Sequence, residues 1–138
     1  MFEAFCRDKL APLALRLALG LVCVYHGYLK IMANGGSAWY PAWPAGWQLL
    51  VAWGEFAGGL AILFGFRCRL AAVVILAITA GTFACWEGGH LLHLSLRTVE
   101  PTVLLLLVGL ALLFLGAGEL SLDGRGGKGG FGKVAKRR

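Results

Sequence analysis

Residues Trp47 to Phe66, WQLLVAWGEFAGGLAILFGF, form an almost wholly apolar stretch with one carboxylate, Glu55, well inside it. The stretch is about long enough to span a bilayer as a helix. A charged carboxylate in hydrocarbon costs about 2.5–3.5 kcal/mol on insertion scales, so Glu55 should face protein and not lipid. Gly58 and Gly59 follow at i+3 and i+4, on the same helical face. Small residues there let a second helix approach closely.

The rest of the chain fits a membrane setting. Hydrophobic residues make up 59% of its 138 positions and charged residues 14%, with a mean hydropathy of +0.75. An ordinary soluble domain is nearer about 45–50% apolar. The net charge of +6 comes largely from the C-terminal tail. It therefore describes one membrane-facing end and not a nucleic-acid-binding fold. Cys6, Cys23, Cys68 and Cys85 show no CxxC spacing, so no zinc or redox-pair motif is visible. The N-terminal apolar run is too long for a cleavable signal and lacks a small-x-small site; Val22 before Cys23 argues against a lipoprotein signal.

Four spans are expected, at about 10–32, 47–66, 70–86 and 100–117, within one membrane domain over 1–123. In the first span Pro12 sits in the first turn, where a missing N–H costs little. Arg16 lies one turn inside and can snorkel to the near interface. Arg16, Gly20, Cys23, Gly27 and Lys30 recur at spacings of four and three, a seam suited to a partner helix. Residues 33–46 read as a loop whose Trp39, Tyr40 and Trp43, with Trp47, suit an interfacial aromatic belt or a stacking platform. Ala77, Gly81 and Cys85 form a second small-residue stripe. Glu100 and Pro101 open the fourth span, with the proline in a first helical turn. Residues 124–138, GRGGKGGFGKVAKRR, read as a disordered basic tail drawn to anionic lipid.

The lead, the 67–69 turn and the tail fall on one side of four spans. They carry Arg7, Lys9, Arg67, Arg69, Arg125, Lys128, Lys133, Lys136, Arg137 and Arg138, against Lys30 and Arg97 on the other side. Both termini are therefore expected in the cytoplasm. At about 1.5 Å per residue, His26 lies roughly 20–24 Å from the cytoplasmic face and Glu55 roughly 12 Å below the outer one. Those depths agree within a helical turn in a core about 30 Å thick. Glu87, His90, His93 and Glu100 gather on the same outer side.

Three readings of this cluster stay open. Glu55 is a structural carboxylate held by His26, a tryptophan N–H or a backbone group. Alternatively, Glu55 and His26 bind and protonate a quinone head group, since a quinone carbonyl needs donors and its reduction needs protons. Or His26, His90, His93, Glu55 and Glu100 ligate a metal or haem, with His90-x-x-His93 as the only suggestive spacing. Cys23 and Cys85 fall in the outer half on inward stripes, where they can pair or stay as buried thiols.

The segments LALRLALGLVCVYHGYLKI, WGEFAGGLAILFGFRCRLAA and GAGELSLDG resemble the DoxX family of small four-helix bacterial membrane proteins. Arg16, His26-Gly27, Lys30, Glu55, Gly58-Gly59 and Arg69 carry the likeness, which spans all but the tail. The resemblance implies an all-α integral protein of the plasma membrane. It includes subunits similar to those of thiosulfate:quinone oxidoreductase and members associated with redox-stress partners. The histidine-containing third loop and the glycine-basic tail depart from it. The expected function is the small membrane subunit of a quinone-linked redox system. His26 and Glu55 would contact the head group, with Arg16, Lys30 and Glu100 in support. Its partners would be membrane lipids, a redox protein or further copies of itself. The alternative is a non-enzymatic scaffold or a small-solute carrier.

Overall fold

The computed structural model describes residues 9–38, 40, 42–87 and 96–122. Among the described residues the chain is all-helical. Its long helices are α1 (Ala11–Met32), α2 (Ala45–Phe64), α3 (Cys68–Glu87) and α4 (Leu96–Leu115), and a short 3-10 turn, Asn34–Gly36, follows α1. α4 starts earlier than the sequence suggests, so Pro101 lies inside the helix and not in its first turn. It removes one backbone donor from the helical ladder there. Pro12 does stand at the start of α1. The basic tail lies outside the described residues.

α2 stops where its sequence turns to Gly65. This residue has φ 68°, a conformation glycine adopts without strain. Phe66 N–H donates to the Ala61 carbonyl at 2.9 Å and Gly65 N–H to that of Ile62 at 3.0 Å, the paired bonds of a Schellman ending. The chain then reverses through Arg67 into α3.

Close approaches fix the topology. A Cβ on Gly20 would meet Leu63, and one on Gly27 would lie 2.5 Å from the backbone nitrogen of Phe56. Rising numbers on α1 thus face falling numbers on α2, so these helices are antiparallel. Gly54 and Gly58 face Ile78 and Ile75 on α3, Gly109 faces Leu76 across α3–α4, and Leu19 of α1 also lies by Gly109. The four helices form an up-down-up-down ring in which α4 closes on α1.

The apolar core occupies one end of this ring. Leu19 and Cys23 of α1, Ile62 of α2, Ala72 and Ile75 of α3 and Leu112 of α4 are buried together. Outside them the surface is hydrophobic, with Leu21, Tyr25, Leu50, Leu104 and Phe114 all more than half exposed. α1 and α2 are each long and apolar enough to cross a membrane, while α3 and α4 contain shorter apolar runs, Cys68–Ala84 and Glu100–Leu115. Only 33% of the most apolar window of α1 and 39% of that of α2 are buried. Core helices of a soluble protein would be mostly buried, so the exposed apolar faces suit a lipid solvent.

Candidate functional site

The α1 stripe read from the sequence is the buried face of α1: Arg16, Gly20, Cys23 and Gly27 all point inward. Its last member, Lys30, meets Glu55 of α2. The Lys30 Nζ donates to Glu55 Oε1 at 2.7 Å. Helical side chains lean toward the N-terminus of their own helix. In an antiparallel pair Lys30 therefore leans back along α1 while Glu55 leans toward the start of α2. The contact of Gly27 with Phe56 sets the register that lets them meet. The close approach depends on glycine, because a side chain at Gly27 or Gly59 would strike the backbone of the facing helix.

The pair is largely removed from solvent, with the Glu55 side chain 9% and the Lys30 side chain 21% exposed. Opposite charge offsets part of the desolvation cost of a buried carboxylate. Glu55 Oε2 is buried and makes no hydrogen bond among the described residues. An orphaned carboxylate oxygen costs more than a neutral orphan, so this atom is the place where a donor from a bound molecule would gain most.

The remaining expected site residues are dispersed. His26 is exposed, and its ring lies beside Tyr25 with centroids 6.1 Å apart. The structure thus joins Glu55 to Lys30, one turn further along α1, and leaves His26 on the outer face. Glu100 is exposed at the start of α4's apolar run. His90, His93 and the side chains of Glu87 and Cys85 lie outside the described part, so the third loop and a Cys23–Cys85 bridge fall there too. Cys23 is buried with a free thiol. Among the described residues no three His, Cys, Asp or Glu side chains converge on a point.

Arg16 serves the opposite end of the bundle. It is 2% exposed, so it does not snorkel outward. Its two terminal nitrogens donate to the carbonyls of Ala117 and Leu120, each at 3.0 Å. It thereby ties α1 to the segment that follows α4, while its buried Nε has no partner among the described residues. At about 1.5 Å per residue it lies about 21 Å along α1 from Lys30, so it acts on the fold and not on the pair.

A residue that the sequence reading passed over shapes the Lys30–Glu55 end. Gln48 is 2% exposed. It accepts from the Tyr40 backbone N–H at 2.9 Å and donates from Nε2 to the Trp43 carbonyl at 2.8 Å. Its signal was a polar residue two turns before Glu55 on the same face of α2. The rings of Tyr40 and Trp43 meet edge-to-face, 5.6 Å between centroids. Beside this clip, an apolar groove of about 480 Å³ opens between α2 and α3. Trp47 and Val51 face Ala77, Ile78 and Gly81 across it, and Trp43 forms its rim.

A protein-family model described as DoxX matches residues 11–88, more than half of the chain. No curated protein and no solved structure gives a significant match.

Proposed function

The chain belongs to the DoxX family, and from that premise we propose that it is a four-span protein of the bacterial plasma membrane serving as the small membrane subunit of a quinone-linked redox system. Exposed apolar faces on all four helices support the four spans. The lysine and arginine asymmetry supports cytoplasmic termini. In that orientation Lys30 and Glu55 lie in the outer half of the bilayer.

The observation that carries this reading is the buried Oε2 of Glu55, which makes no hydrogen bond among the described residues, while the other oxygen is held by Lys30. A quinone head presents carbonyl acceptors, and its reduced form presents hydroxyl donors. Lys30 Nζ suits the carbonyl, and Glu55 Oε2 suits the hydroxyl. Oxidation of a quinol releases two electrons and two protons, and reduction of a quinone takes up the same. In this reading Glu55 accepts or returns one proton at Oε2, and the second exchanges with water at the outer membrane interface. The electrons pass to or from a carrier on a partner protein.

A second reading keeps the alternative function in view. The Lys30–Glu55 ion pair and the glycine contacts of α1 with α2 also suit a rigid scaffold or a solute carrier assembled from several copies. Mass spectrometry of lipid-soluble molecules retained by the purified protein separates the two. The redox reading expects a quinone kept by the wild type and lost from folded Glu55→Gln. A wild-type protein that retains none and binds none when it is added would leave the scaffold.

A further inference from the structure

We infer that the groove between α2 and α3 holds the hydrocarbon tail of the ligand whose polar head meets Lys30 and Glu55, so that the ligand is a long-tailed quinone and not a small water-soluble one. This rests on the quinone reading above.

Three observations carry it. First, the groove has the size of a ligand site, about 480 Å³, but offers almost no polar surface. Thr82 on its wall already directs its hydroxyl at the carbonyls of Ile78 and Thr79, at 2.9 and 3.1 Å. A head group gains nothing there, whereas a hydrocarbon chain loses nothing. Second, the groove is built and not left over from a loose loop. Buried Gln48 fixes the Trp43 carbonyl and so holds the rim in place. Gly81 opens the α3 wall, with nothing within 4 Å of where its Cβ would stand. Third, the wall of the groove comes within one helical turn of Glu55 along α2. Val51 lines it, is 6% exposed, and stands one helical turn before Glu55. Four residues turn a helix about 40° past a full circle. A chain crossing Val51 therefore passes from the α3 side of α2 to its inner face, where Glu55 sits. Trp47 and Leu50 on its wall are more than half exposed, so the groove opens on the apolar outer surface, where a tail can leave into lipid.

The test uses two probes in lipid nanodiscs, a benzoquinone with a ten-carbon tail and the same head without a tail, with binding read by tryptophan fluorescence quenching. Gly81→Leu fills the groove from a position with free space around it. Ala80→Leu adds the same bulk to an exposed neighbour that does not line the groove. The wild type and Ala80→Leu should bind the tailed probe at least tenfold tighter than the tailless one. Gly81→Leu should lose that preference while binding the tailless head as the wild type does, and Glu55→Gln should weaken both. Undiminished preference for the tail in Gly81→Leu would overturn the tail assignment and leave the head site standing. Absence of binding of either probe to the wild type would overturn the quinone reading together with the tail assignment.

Discussion

At the residue scale, a lysine pairs with a buried glutamate between α1 and α2. Removing one member of such a pair leaves an uncompensated charge, which costs about 3–5 kcal/mol in buried sites. Lys30→Met should therefore destabilise the fold by about that much, measured by denaturant unfolding in detergent. The double variant Lys30→Met/Glu55→Leu should recover most of the loss, because both charges leave together; a double variant as unstable as the single would show that the pair is not what holds these positions. The stripe of Arg16, Gly20, Cys23, Gly27 and Lys30 was legible in the sequence as a seam, and so was the need for Glu55 to face protein. The identity of Glu55's partner was not. Depth arithmetic puts His26 within a turn of Glu55, but it ignores the lean of side chains along each helix. That lean carries Lys30 back to the glutamate, and the structure leaves His26 exposed. Gln48 escaped notice because its partners are backbone groups of an irregular loop, which no periodicity announces.

At the scale of the helices, glycine positions divide sharply by what they face. Gly27 packs its Cα against the backbone of Phe56, which cannot move aside without parting α1 from α2. Gly27→Ala should cost about 1–3 kcal/mol, the range for overpacking. Gly81→Ala meets open space and should be neutral or gain up to about 1 kcal/mol in helix propensity. Equal unfolding curves for the two variants would contradict the packing described here. The second stripe, Ala77, Gly81 and Cys85, reads in the sequence just like the first, yet its described members, Ala77 and Gly81, line a groove. Small residues mark where something can approach, and only the fold shows what does. The early start of α4 was hidden for a similar reason. Pro101 is a strong start signal, but a helix tolerates it a turn inside at the loss of one hydrogen bond.

At the scale of the whole molecule, the bundle has two unlike ends. One is dry and closed, with the apolar core beside Arg16 and the segment after α4. The other holds the Lys30–Glu55 pair, the Gln48 clip and the groove. Arg16→Met should release residues 116–122 without disturbing the α1–α2 contact. Hydrogen exchange should then quicken in that segment and stay slow in the middle of α2; uniform acceleration would mean that Arg16 supports the entire fold. A quinone head held between Lys30 and Glu55 can be seen by infrared difference spectroscopy with a quinone labelled by carbon-13 at its carbonyls. A carbonyl hydrogen-bonded to the Lys30 ammonium absorbs at lower frequency than the same carbonyl in lipid. Such a downshifted, isotope-sensitive band is expected in the wild type, with a return to the lipid position in Lys30→Met. A bound quinone whose carbonyl bands are the same in both proteins would place the head elsewhere and rule out its contact with Lys30.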